Sequence, residues 1–177
     1  MKSVFLGGSR RVTRLNKVIR DRLDQIMRRR LTVYIGDANG ADRAMQRHFA
    51  ESRYSNVVVY AVASHLRNNL GSWHVELVTP PERSKGYEMF AAKDLLMAER
   101  AAAGLMLWDG KSRGTLENIR NLLARGKPVA LYFAPRRRFL NLRTSTDLAK
   151  VSPAAAPHAV ARSSSRLEEE QHPLFFD

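Results

Sequence analysis

Three short segments of this chain combine glycine with hydroxyl, carboxylate and cationic side chains, and each follows an apolar run. They are Gly7-Gly8-Ser9-Arg10, Gly36-Asp37-Ala38-Asn39-Gly40 and Asp109-Gly110-Lys111-Ser112-Arg113-Gly114-Thr115. The third is the most informative. Gly110 and Gly114 let the main chain come close to an anion with successive amides pointing at it. Ser112 and Thr115 add hydroxyls, Lys111 and Arg113 add positive charge, and Thr115 is placed to cap a following helix. A helix N-terminus presents free amides and partial positive charge, which suits phosphate. Lys-Ser does not follow a Gly-x-x-x-x-Gly here, so this is not a P-loop, and Gly7-Gly8 lacks the third glycine of a nicotinamide-dinucleotide fingerprint. Asp37 closes an apolar run, a position from which carboxylates accept ribose hydroxyls. Asp42 is expected to cap or orient the next helix, with ligand contact as its alternative role. These residues point to a phosphate-bearing, nucleotide-like ligand.

Such loops need a frame that brings them together. Residues 4–6, 31–35, 56–62, 104–108 and 128–133 are short apolar or β-branched runs that predict five strands, and 139–142 suggests a sixth. Between them, residues 13–29 carry Leu15, Val18, Ile19, Leu23, Ile26 and Met27 at helical spacing, and 41–52, 87–102 and 115–125 predict three more helices. Gly126 fits a C-terminal cap, and a short helix is expected near Ser145. Residues 64–85 read as a long loop with room for a short strand at 73–78. Alternation of strand and helix predicts an α/β, Rossmann-like, doubly wound, mainly parallel sheet with helices on both faces. With a strand order of 3-2-1-4-5, the loops after strands one and four flank the switch crevice, where ligands of such sheets bind. The domain is expected over residues 1–151. Residues 152–177, rich in Ser, Pro, Ala and Glu, predict a flexible tail whose Leu174-Phe175-Phe176 could dock.

The chain of 177 residues has no cysteine, which excludes disulfides and thiolate chemistry. Its five histidines (His48, His65, His74, His158 and His172) show no metal-ligand spacing and no obvious acid partner, so neither a metal nor a cofactor is expected. The apolar run at 4–6 is too short for a secretory leader and no run suits a membrane span, so a cytoplasmic protein without a membrane partner is expected. The formal charge is +13, and residues 1–60 hold 13 Lys/Arg against 5 acids. The excess is therefore regional, concentrated in Arg14, Lys17, Arg20, Arg22 and Arg28 to Arg30, with a second cluster at Arg136 to Arg138. A basic face of this kind favours anionic partners, nucleic acid included, although few aromatics interleave with the cations.

With these loops in place, the chain resembles the SMF/Lonely Guy (SLOG) superfamily of Rossmann-like proteins over about residues 3–150. The likeness is carried by Gly7-Gly8-Ser9-Arg10, by 36–43 with its Gly40-Ala41-Asp42-Arg43, and by Trp108 through Thr115. Arg67-Asn68-Asn69-Leu70-Gly71-x-Trp73 and Lys93-Asp94-x-x-Met97 are similar to an uncharacterised bacterial branch. The resemblance implies nucleotide binding, with phosphoribohydrolases, single-strand DNA-processing proteins and nucleotide sensors as the activities the superfamily contains. It also implies that subunits pair, as a homo-oligomer. In the hydrolases a glutamate follows Gly-Thr by three residues, where this chain has Asn118. Glu117 is one residue early and turned about 100° around the helix, and Ala101-Ala102-Ala103 stands where the branch tends to carry an acid. Both departures favour a binding protein over a hydrolase. If the chain is an N-glycosidase, Asp94, Lys93 and Asp109 are the candidate catalytic groups, Asp94 as base or nucleophile and Asp109 polarising a ribose hydroxyl. The candidate ligand-binding residues are Gly7, Gly8, Ser9, Arg10, Gly36, Asp37, Gly40, Asp42, Gly110, Lys111, Ser112, Gly114 and Thr115.

Overall fold

In the computed structural model, residues 2–63 and 65–152 are described. The tail beyond them, with His158, His172 and the 174–176 motif, lies outside the described residues. Seven strands form one sheet: β1 (Ser3–Gly8), β2 (Thr32–Gly36), β3 (Val57–Val62), β4 (His74–Val78), β5 (Ala103–Trp108), β6 (Val129–Phe133) and β7 (Arg138–Leu142). Their order is β4-β3-β2-β1-β5-β6-β7, parallel throughout except for the antiparallel β6–β7 hairpin. The five inner strands have the order under which the loops after β1 and β5 flank the switch crevice, and the short strands suggested at 73–78 and 139–142 form the two edges, β4 and β7. The chain winds outward from β1 to β4 and then returns past β1 to β5, so the switch point lies between β1 and β5.

Among the described residues, four α-helices connect strands, α1 (Lys17–Arg28), α2 (Ala41–Glu51), α3 (Tyr87–Arg100) and α4 (Arg113–Ala124), and α5 (Ser145–Val151) follows β7. Alternation along the strands divides their apolar side chains between two faces. Val4, Leu6, Val33, Ile35 and Leu105 pack under Ile19, Leu23 and Ile26 of α1 and Met45 and Phe49 of α2. Phe5, Tyr60, Met106, Trp108 and Leu131 pack under Met97 of α3, Ile119 and Leu122 of α4, and Leu148 of α5. Helices on both faces make the sheet doubly wound.

Three local expectations are corrected. Helix α1 starts at Lys17 because Asn16 caps it, its side chain accepting from Ile19 N; Leu15 precedes the helix, and Val18 is 47% exposed rather than part of the apolar stripe. Thr115 does not cap α4. Ser112 does, accepting from Thr115 N, and α4 begins two residues earlier. His48 has an acid partner after all, since Asp24 Oδ1 lies 2.8 Å from its Nε2 across the α1–α2 interface.

Among the described residues, the parallel β3–β4 link contains no helix. Residues 65–73 instead run as a strap held by side chains. Gln46 of α2, fully buried, donates to Gly36 O and Asn68 O and accepts from Leu70 N. Asn69 brackets Trp73, donating to its carbonyl and accepting from its amide, while the indole of Trp73 donates to Tyr54 O. These bonds satisfy polar groups that a strap beside the core would otherwise leave unpaired.

Candidate functional site

The three glycine-bearing loops meet at the carboxyl rim of β1, β2 and β5, around a cavity of about 680 Å³. That volume lies within the range of small-molecule sites. Of the residues singled out in the sequence, Gly7, Gly8, Arg10, Gly36, Asp42, Lys93, Asp94, Asp109, Lys111, Ser112 and Gly114 lie on its wall. Ser9, Asp37, Gly40, Gly110 and Thr115 do not, and each has a structural task nearby.

Ser9 is fully buried and joins the first and third loops. Its hydroxyl donates to Asp109 Oδ1 at 3.0 Å, accepts from Asp109 N at 3.1 Å, and lies 3.3 Å from Thr115 Oγ1. Asp109 Oδ1 also accepts from Lys111 N and Ser112 N, the latter at 2.7 Å, which folds the loop into a compact turn. Burial works to raise the Asp109 carboxyl, but the amides of Ser112 and Lys111 and the Ser9 hydroxyl together hold it below the usual range. This oxygen is committed to the loop, so Asp109 acts first as its organiser. Thr115 completes the knot by donating to Ser112 Oγ. Gly110 adopts φ +78°, a conformation that keeps the turn tight.

Gly40 stands at φ +88°, and a Cβ there would overlap the backbone of Arg10. The first and second loops approach so closely because no side chain separates them. Gly40→Ala is expected to cost about 2 kcal/mol, from a strained φ plus displacement of the Arg10 segment. Urea unfolding of the variant checks this, and a cost near zero would mean that the two loops are not rigidly joined.

Asp37, the expected ribose acceptor, follows β2 and does not lie on the cavity wall. It is 1% exposed, and both oxygens are taken by Arg67 from the strap. Arg67 Nη2 donates to Oδ1 at 2.7 Å, while Arg67 Nε and its backbone N donate to Oδ2. The guanidinium lies over the Phe90 ring, 4.6 Å from its centroid, and both residues line the cavity. Phe5, Arg11 and Met97 also line the cavity, and nothing local in the sequence marks them, Arg67 or Phe90 as site residues. The run Arg67-Asn68-Asn69 signals only that a polar cluster inside a long segment needs buried partners.

The remaining wall is an ionic cluster from α2, α3 and α4. Lys93 is only 4% exposed and donates to Asp94 Oδ1 at 2.7 Å. Burial works to lower its ammonium, but Asp94 and Asp42 hold it above the usual range, so it stays charged. Asp94 Oδ2 accepts from Asn118 Nδ2 at 3.0 Å. Asp42 is 7% exposed; its Oδ2 takes the Ala38 amide at 3.3 Å, and its Oδ1, also buried, has no hydrogen-bond partner. Burial pushes the Asp42 carboxyl up to about 7, with Lys93 pulling it down and Asp94 pushing it further up. Gly36 makes room for this cluster, since a Cβ there would sit 2.5 Å from Asp42 Oδ2 and 2.9 Å from Lys93 Nζ. Among the described residues, no group of three or more His, Cys, Asp or Glu side chains could hold a metal ion, and no helix is long and apolar enough to cross a membrane.

A mostly parallel sheet with loops converging at its switch point defines a Rossmann-like α/β protein. Among solved structures, the chain is similar to DNA processing protein A from Helicobacter pylori, described for its single-stranded DNA binding mode, with a TM-score of 0.57 and 13% identity. The match covers 88% of this chain and 74% of that one, and at this identity it speaks for the fold. No protein-family model and no curated protein matches the chain.

Proposed function

We propose that the cavity binds a nucleotide or nucleotide-derived phosphorylated ligand, and that the chain is a binding or sensing protein of the SMF/Lonely Guy type. The observation that carries this reading is the mixed lining of one cavity. Gly7, Gly8, Gly114 and the cations Arg10, Arg11 and Lys111 share its wall with the Asp42–Lys93–Asp94 cluster, Phe90 and Met97. Phosphate suits the glycine loops and cations, where side-chain charge supplements main-chain amides and the α4 N-terminus. A sugar and base suit the hydrogen-bonding groups and the aromatic and thioether surface. Binding is favoured over hydrolysis because Asn118 cannot exchange a proton at neutral pH and is committed to Asp94.

Calorimetry with nucleoside monophosphates tests the reading. Saturable binding is expected, weakened about tenfold by Arg10→Ala or Lys111→Ala, each of which removes a charge-assisted hydrogen bond. Binding without release of free base supports the sensor. Release of base, abolished by Asp94→Ala, would make the protein an N-glycosidase instead.

A second reading, single-stranded nucleic acid, is favoured by the +13 charge and by the DNA binding of the similar solved structure. The two separate by salt. A strand contacting several cations weakens steeply as salt rises, by about 0.7 logarithmic units per tenfold of salt for each phosphate neutralised, whereas one nucleotide weakens far less.

A further inference from the structure

Cations gather where three segments meet at the rim of the cavity. Residues 10–16 leave β1 past Ser9, whose amide donates to Leu107 O of β5, and reach β6 at Asn16, whose side chain donates to Tyr132 Oη at 2.7 Å. They therefore cross the carboxyl end of β5. The loop after β5 leans the same way. A Cβ on Gly110 would meet Phe133 at 3.2 Å and Pro135 at 3.5 Å, so this loop packs against the turn 134–136 that follows β6. The first segment carries Arg10, Arg11 and Arg14, the second Lys111, and the third Arg136 with Arg137 next to it. Arg10, Arg11 and Lys111 line the cavity; all six side chains are exposed, and none has a side-chain partner among the described residues.

Like charges on adjoining segments repel, and the acids nearby do not relieve them. Arg67 engages Asp37, Lys93 engages Asp94 and Arg120 engages Glu117. Asp42 lies with Lys93 over Gly36 of β2, on the opposite side of β1 from β5. Asp109 offsets one of the six cations, with Oδ1 turned into its own loop. A single phosphate brings a charge of about −2 at most and leaves much of the excess standing. We propose, on the basis of the nucleotide reading above, that the ligand is a nucleoside triphosphate, its first phosphate at the glycine loops and its outer phosphates running across the end of β5 to Arg136 and Arg137.

The layout suits a chain of phosphates. Adjacent strands are about 4.8 Å apart, so the loop after β5 and the turn after β6 are rooted one such step from each other. Successive phosphates share a bridging oxygen, and arginine and lysine side chains are long enough to meet them along that step. Arginine at the far end suits a terminal phosphate, which its planar fork engages through two oxygens. A nucleic-acid strand fits this rim less well, because 10–16, 110–116 and 134–137 contain no aromatic residue on which successive bases stack.

The test is titration calorimetry on the full chain with AMP, ADP and ATP, in EDTA and at physiological salt. ATP is expected to bind roughly tenfold or more tighter than AMP, with ADP between them. Arg136→Gln combined with Arg137→Gln should shrink the ratio of ATP to AMP affinity by about tenfold. Arg28→Gln combined with Arg29→Gln removes the same charge at the other end of the sheet, where α1 leads into β2, and should leave that ratio within about twofold. All four side chains are exposed, so folding is not at stake. Equal affinity for AMP and ATP would overturn the triphosphate assignment alone, as would an equal loss of the ratio in both double variants, which would make the preference a matter of overall charge. An oligodeoxyadenylate that displaces ATP at lower concentration than ATP itself requires would give the rim to a strand and overturn the assignment too. Absence of binding by AMP, ADP and ATP alike would overturn the nucleotide reading and this assignment with it.

Discussion

Asp42→Asn is expected to stabilise the protein at pH 8 by about 2 to 4 kcal/mol while leaving its stability near pH 4 almost unchanged. The folded protein holds this carboxyl at about 7, against 3.8 for the ordinary group. Between those values the folded state keeps a proton that the unfolded chain has released, so rising pH favours unfolding across that window. Below it both states are protonated and the difference disappears. Asparagine resembles the protonated acid, can still accept the Ala38 amide, and escapes the charge that burial penalises. For a chain of this size the gain corresponds to roughly 5 to 15 °C in Tm. Thermal melts of both proteins from pH 4 to 8 give the measurement. A separation that stays constant with pH would show that Asp42 ionises as an ordinary surface aspartate and that its burial costs nothing.

The sheet was legible because its signals are local. Apolar runs ending in glycine, helical spacing in 13–29 and the Gly126 stop each depend on a few neighbouring residues, and their alternation sufficed to predict a mainly parallel, doubly wound sheet. The edge strand β4 was blurred because His74 and Leu77 are both exposed, which breaks a two-residue apolar alternation. Within the site, the loops were legible as glycine and hydroxyl clusters, but the tasks of their acids were not. Asp109 is the exception that could have been read, since an aspartate two and three residues before free amides commonly folds its own turn. Asp37 and Asp42 are five residues apart and equally acidic in sequence. Their fates diverge only because Arg67, 30 residues beyond Asp37, reaches one and not the other. Pairing across such distances leaves no periodic trace.

That same pairing makes Arg67→Ala the most damaging single change expected at the rim, with a loss of about 3 kcal/mol. The substitution removes the guanidinium bonds to both Asp37 oxygens and leaves a carboxylate that is 1% exposed with the backbone amide of residue 67 as its remaining donor from the strap. It also removes the cation stacked on Phe90, a contact of about 0.5 to 1 kcal/mol that holds one cavity wall. Arg67→Lys should rescue little, because an ammonium is a point charge and cannot engage both oxygens through a planar fork. The discriminating variant is Arg67→Ala combined with Asp37→Asn. If most of the loss reflects an orphaned buried charge, neutralising Asp37 recovers more than half of it in urea unfolding. If the double variant is as unstable as Arg67→Ala alone, the damage lies in the strap and its stacking on Phe90, and the ion pair contributes little. The two outcomes assign different jobs to residues 65–73: a cover that neutralises the end of β2, or a wall whose packing alone shapes the cavity.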